Sequence, residues 1–179
     1  NLLLQPPVPG RRVLAIDPGY KNGCKLAVLD ERGGLVTLGL VNLVGSEEQQ
    51  AAARSKLLEV IREHNPSVIA IGNGSACRPT EQMVSDMLAT ELADTDIRYV
   101  IVNEAGASVY STSAIGREEF PGCEAIDRSA ISIGRRLQDP LSELVKIDPA
   151  SIGVGLYQHD AKPAHLRDTL EDTVRSCVS

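Results

Sequence analysis

The 179-residue sequence has no tryptophan and a single phenylalanine, Phe120; with four tyrosines the aromatic fraction is only 3%. Its core must therefore be built from Val, Ile, Leu and Ala, which suits a largely parallel sheet covered by helices. Cysteine is also sparse: Cys24, Cys77, Cys123 and Cys177 lie far apart and no CxxC pair occurs. Zinc ligands cluster, so this spacing argues against a zinc site. Dispersed thiols with apolar flanks fit a reducing, intracellular setting, nucleus or cytoplasm. No apolar run approaches a membrane span and no signal-peptide pattern opens the chain. Positive charge is in deficit, with 18 Lys and Arg against 24 Asp and Glu and a formal net charge of -6. A free-standing duplex binder carries a basic surface, because phosphate contacts dominate its affinity. The balance argues against strong DNA or RNA binding by this stretch in isolation and leaves room for a local basic patch.

What is present reads as one globular domain, with 42% hydrophobic and 23% charged residues. Residues 1–10 end in Gln5-Pro-Pro-Val-Pro-Gly10, a linker by composition, since proline removes donors and fixes φ. Val13 to Ile16 forms a short buried strand ending at Asp17, and Pro18-Gly19 and Asn22-Gly23 are turn signals. Cys24–Leu29 and Leu35–Leu43 complete three consecutive antiparallel strands. The period then changes. Ser46 caps a helix running to His64, with Ala53, Leu57, Leu58 and Ile61 as its apolar stripe and Asn65-Pro66 as its stop. Val68–Ile71 is a fourth strand, Thr80 caps a helix to about Leu92, and Arg98–Val102 is a fifth strand. A short helix over Ala105–Ala114 and a stronger one over Ala125–Gln138 follow, the latter ended or kinked by Pro140. The order β-β-β-α-β-α-β-α-α predicts an α/β fold, a mixed five-stranded sheet of three antiparallel strands followed by parallel ones, flanked by helices. This order belongs to ribonuclease-H-like domains and to the half-domains of actin-like ATPases. The domain is expected to span 11–147. From Asp148 the composition becomes Gly-rich, and residues 148–179 form an extension with a helical pattern over Ala164–Val178. The first residue, Asn1, and a last helical pattern without a stop signal suggest a piece of a longer protein.

Three acids carry the chemical interest. Asp17 ends the first strand before a Gly turn, so its carboxylate sits at the sheet's functional edge. It can ligate Mg²⁺ as a hard oxygen donor, or equally hydrogen-bond the turn. Glu104 follows the fifth strand directly; it can join Asp17 or favour the positive end of the next helix. Asp127 lies at a helix start, where capping is the commoner role; Asp139 has a similar explanation before Pro140. Three or four such acids holding two metals can activate water and stabilise the leaving oxygen of a phosphodiester. Arg128, Arg135 and Arg136 cluster on a helix and can meet phosphate or remain a solvated surface. The loop Gly72-Asn73-Gly74-Ser75 lacks the lysine of a Walker loop, and His159-Asp160 has no attached nucleophile.

The runs Ala15-Ile-Asp-Pro-Gly-Tyr-Lys-Asn-Gly-Cys-Lys25, Ile71-Gly-Asn-Gly-Ser-Ala76 and Asn103-Glu-Ala-Gly-Ala-Ser-Val-Tyr-Ser111 resemble, in order, the YqgF-type domain of the Tex family. Arg135-Arg-Leu-Gln-Asp-Pro-Leu141 and Ile152-Gly-Val-Gly-Leu-Tyr-Gln-His-Asp160 extend the resemblance over nearly the whole chain, which leans towards a eukaryotic Tex-like form. The resemblance implies a multidomain, transcription-related protein that binds RNA or DNA mainly through neighbouring domains. It would continue into helix-hairpin-helix elements and an oligonucleotide-binding fold, with transcription-machinery proteins as further partners. The domain is also similar to resolvases of the RuvC and YqgF types. That similarity carries Asp17 and Glu104 onto the nuclease acids, makes Mg²⁺ or Mn²⁺ the implied cofactor, and brings Lys21, Lys25, Arg128, Arg135 and Arg136 forward as nucleic-acid contacts. Two departures stand out. The third acid should fall near Arg128 or Ser129, and Asp127 is one or two residues early, an offset of about 100° per residue on a helix. RuvC proteins carry a further Glu where this chain has Asn73. The expectation is a nucleic-acid-associated scaffold without robust nuclease activity. The alternatives are a metal-dependent nuclease using Asp17, Glu104 and Asp127, a protein-docking domain, and an actin-like nucleotide binder, the last disfavoured by the absence of an internal repeat.

Overall fold

A computed structural model of the chain describes residues 7–152. The sheet is built from β1 (Val13–Asp17), β2 (Cys24–Leu29), β3 (Leu35–Val41), β4 (Val68–Gly72) and β5 (Arg98–Val102). Its spatial order is β3-β2-β1-β4-β5. β1 pairs antiparallel with β2, and β2 with β3, while β4 runs parallel to both β1 and β5. This is the mixed sheet expected from the sequence. β1 is the central strand, which is why all four of its apolar residues are fully buried.

Alternation along the strands sorts residues to two faces. Leu14, Ile16, Leu26, Val28, Ile69 and Ile71 form one cluster with Leu57 and Ile61 of α1 (Glu47–His64) and Val84 and Met87 of α2 (Cys77–Ala89). On the opposite face Ala15, Ala27 and Leu29 meet Ala130 and Ile131, and Val13 and Ala70 meet Ile133 and Leu137, all from α5 (Ala125–Gln138). Alanines at the middle of this face let α5 sit close to the sheet. Gly134 marks the nearest approach: a Cβ there would lie 2.7 Å from Leu29 Cδ1 and 3.0 Å from Ala15 Cβ.

Several boundaries differ from the sequence expectation, each for a local reason. Thr80 does not cap α2; it lies inside the helix, fully buried, with its hydroxyl donating to the Ala76 carbonyl at 2.8 Å. Pro79 is tolerated because the first turn has no intrahelical acceptor for its missing N–H. The helix expected over Ala105–Ala114 is two, α3 (Ala107–Thr112) and α4 (Ala114–Glu119). Ser113 breaks them apart in an extended conformation, and its hydroxyl accepts the Gly116 N–H at 3.1 Å. Pro140 opens a further short helix, α6 (Pro140–Leu144), in which Asp139 accepts the Ser142 N–H at 3.2 Å. Ser46 caps α1 as expected, through a reciprocal pair with Gln49. Beyond the boundary expected near Asp148, a 3-10 turn over Pro149–Ile152 packs Ile152 with Tyr110, Leu144 and Ile147. The Ala164–Val178 helix and the His159-Asp160 pair fall outside the described residues.

The close seat of α5 has a measurable consequence. Gly134→Val is expected to lower unfolding stability by roughly 2 kcal/mol through overpacking, whereas Gly122→Ala, facing open space, is expected to leave it nearly unchanged. Urea denaturation of the two variants checks this.

Candidate carboxylate site

The residues at the C-terminal ends of β1, β4 and β5 converge beneath the N-terminal half of α5. Asp17 closes β1 on the same face as Ala15, so its carboxylate points towards α5, where the Ser129 hydroxyl lies near it. Burial raises the Asp17 pKa above the usual carboxylate value, and the nearby Ser129 hydroxyl partly offsets this. Glu104 reaches the same region from beyond β5. Its carboxylate lies over Gly72 and Gly74: a Cβ on Gly72 would fall 2.6 Å from Glu104 Oε2, and one on Gly74 would collide with Oε1. Gly72 and Gly74 are therefore the space that the carboxylate occupies. Burial and the nearby Asp17 charge raise the Glu104 pKa, while the Gly74 backbone N–H and Arg136 pull it back. Glu104 Oε2 is buried without a hydrogen-bond partner.

The third expected acid does not join them. Asp127 lies at the start of α5, where one oxygen accepts the Glu124 N–H at 2.9 Å and the other pairs with Lys25 Nζ at 2.6 Å. Both side chains are largely buried, at 16% exposure for Lys25 and 8% for Asp127. Lys25 is opposite Asp17 in the β1–β2 register and shares its face of the sheet, which brings it to the α5 N-terminus. Ser129 instead occupies the helix position facing Asp17. At the end of β4, Asn73 Oδ1 accepts the Glu104 backbone N–H at 3.0 Å. Among the described residues no three His, Cys, Asp or Glu side chains gather closely enough to hold a metal ion. Two metals need three or four acids. The set Asp17, Glu104, Ser129 and Asn73 does not fit the Mg²⁺ or Mn²⁺ pair implied by the resemblance.

Of the five basic side chains brought forward as phosphate contacts, Lys21 alone is fully at the surface. The Arg128 and Arg136 expectation needs correction, because both are buried and turned inward. Arg128 Nε donates to the Ser111 carbonyl at 2.6 Å and its Nη1 donates to those of Phe120 and Cys123, pinning α3 and α4 to α5. Arg136 Nη1 donates to the Asn103 carbonyl at 2.8 Å, and its charge acts on Glu104 and Glu143. Arg135 stacks over Phe120 at 4.7 Å and donates to the Gly33 carbonyl at 3.0 Å. Lys25 is committed to Asp127. The sequence reading missed the Lys25–Asp127 pair and the Arg136–Glu104–Glu143 group. The available signal was Lys25 within an alternating strand, on the face that α5 covers.

Sheet order and the helix laid across it define a ribonuclease-H-like fold. The fold is similar to that of Thermus thermophilus RuvC in a complex with a Holliday junction substrate. The TM-score is 0.50 at 15% identity, over 70% of this chain and 91% of that one. Residues 11–138 match the family described as Tex protein YqgF-like domain, and the chain belongs to that family. The human S1 RNA-binding domain-containing protein 1 is 46% identical over 180 residues, covering all of this chain and 18% of that protein. The transcriptional accessory protein Tex of Neisseria gonorrhoeae is 44% identical over 179 residues, covering all of this chain and 23% of that protein. The chain thus spans about a quarter or less of these relatives, and human and bacterial sequences resemble it nearly equally.

Two outcomes follow from the site. Lys25→Met, which strands a buried Asp127 charge, is expected to destabilise the fold by roughly 3 kcal/mol, read as a lowered urea midpoint. For Glu104 the folded pKa lies above the unfolded one, so the folded state holds the proton more readily. Stability falls as pH rises from the ordinary carboxylate range, about pH 4, through the raised folded value. Glu104→Gln removes this penalty. It is expected to raise the denaturation midpoint at pH 7 and to flatten the midpoint's dependence on acidification; a lower midpoint at pH 7 contradicts the assignment.

Proposed function

We propose that this chain is a nucleic-acid-associated scaffold domain within a longer, transcription-related RNA-binding protein, and that it lacks robust nuclease activity. The observation that carries this is the makeup of the cleft: Asp17 and Glu104, the acids that the resemblance likens to a nuclease pair, are accompanied by Ser129 and Asn73 rather than by further acids. Membership of the Tex family supports the transcriptional setting, and its relatives, among them an S1 RNA-binding protein and a transcriptional accessory protein, support RNA as a partner. Most phosphate contacts would come from neighbouring domains, consistent with the acidic balance of this stretch. A continuation from 148–179 into a helix-hairpin-helix region and contacts with transcription-machinery proteins belong to the same proposal. So does an intracellular location, supported by the free thiols of Cys24, Cys77 and Cys123. Among the described residues no helix is long and apolar enough to cross a membrane.

Within the cleft, two close carboxylates with raised pKa and a serine can hold protons and accept hydrogen bonds, but the Lys25 charge is committed to Asp127. This is a binding surface for polar groups rather than a hydrolytic centre. The test is titration of Mg²⁺ and Mn²⁺ with branched DNA and structured RNA. The expected result is weak, salt-sensitive association without metal-dependent cleavage. Metal-dependent cleavage that Asp17→Asn abolishes would establish the nuclease alternative. Absence of association with any nucleic acid, alongside salt-tolerant binding of proteins, would favour a docking domain.

A further inference from the structure

The β1–β2 turn, residues 18–23, forms one wall of a cavity of about 280 Å³ at the edge of the carboxylate site. Asp17, Pro18, Tyr20, Lys21, Ser75 and Ile126 are among its lining residues. Tyr20 is 53% exposed. In a chain with so few aromatics, a half-exposed tyrosine on a turn contributes nothing to the core, and its neighbours Lys21 and Asn22 are exposed as well.

The turn beneath Tyr20 is tightly built. Gly23 has φ +77°, a conformation favourable to glycine, and a Cβ on Gly19 would lie 2.7 Å from the Gly23 carbonyl oxygen. The strands on either side are locked in register, Asp17 opposite Lys25. Tyr20 and Lys21 are therefore presented from a close-packed base, which limits the ordering cost of binding.

The chemistry of the cavity selects its ligand. Asp17 disfavours a phosphate inside. Pro18 and Ile126 offer apolar surface, Asp17 and Ser75 offer acceptors for the edge of a base, and Tyr20 offers an aromatic face. Lys21, the one cation among the cavity's lining residues, is exposed on the same turn as Tyr20, where a backbone phosphate can meet it. Aromatic stacking with a single cationic contact is a mode suited to unpaired nucleotides, because a base within a duplex has no free face. Resting on the nucleic-acid reading above, we infer that the β1–β2 turn is a single-stranded nucleic-acid site in which Tyr20 stacks on an unpaired base and Lys21 contacts the adjoining phosphate.

The experiment uses the 179-residue chain and a labelled single-stranded oligoribonucleotide carrying a fluorescent adenine analogue whose emission falls on stacking, with a matched duplex for comparison. The parent is expected to prefer the single strand and to quench the analogue. Tyr20→Ala is expected to bind about tenfold more weakly, within the range of base–aromatic stacking, and to lose the quenching; Tyr20→Phe is expected to keep both. Lys21→Ala is expected to weaken binding and reduce the salt slope by roughly 0.7, the value for one phosphate of a single strand. If Tyr20→Ala binds like the parent, if Tyr20→Phe is as weak as Tyr20→Ala, or if single strand and duplex lose equally, the stacking site is wrong while the nucleic-acid reading stands. If the parent binds no nucleic acid, both fail.

Discussion

The close seating of α5 on an alanine-lined face of the sheet is the constraint on which the rest of the molecule depends. Ala15 and Ala27 supply a shallow surface, and Gly134 removes the one side chain that would hold the helix off. With α5 at this distance, Ser129 reaches Asp17, Asp127 reaches Lys25, and Arg136 is buried near Glu104 and Glu143. A bulkier face would lift the helix and separate these groups together. Packing and polar chemistry are thus settled by a single helix–sheet contact.

That contact also accounts for the fate of the charges. Buried ions are tolerable when paired, because an uncompensated charge is costly to desolvate. Lys25 and Asp127 satisfy this as an ion pair, and Arg128 satisfies it by donating to three backbone carbonyls. Arg136 makes one such bond and otherwise depends on the charges of Glu143 and Glu104. Side chains that resemble a phosphate-binding surface in a helical projection are therefore internal fasteners, tying α3 and α4 and the segment after β5 to α5. The cleft is left with two carboxylates, a serine and an asparagine, a set suited to hydrogen bonding. The nearby turn supplies the exposed aromatic and cationic groups that the cleft lacks.

The legible parts of the fold were those with a strong local period. All five strands, the helix over Ala125–Gln138 and the Ser46 cap follow from alternation, apolar stripes and capping residues. The misplaced boundaries share a cause. A hydroxyl can cap a helix, bond a backbone carbonyl, or do both: Thr80 donates to the Ala76 carbonyl from inside its helix, while Ser113 accepts the Gly116 N–H and donates to the Tyr110 carbonyl. The positions of Asp17 and Glu104 were readable because strand ends in a sheet of this order must lie together. Asp127 was harder, since capping its own helix and pairing across to Lys25 are compatible roles and only the second consumes the charge.

By itself, the sequence determined the type and order of the elements, a core made of aliphatic residues, the family, and the two acids at the strand ends. These are local or periodic properties, written into neighbouring residues. The tertiary structure alone decided which charges face inward, which helix residue meets Asp17, and which turn stands open beside the cleft. Those outcomes depend on the distance and rotation of α5 over the sheet, set by contacts between residues more than a hundred positions apart, such as Ala15 and Gly134.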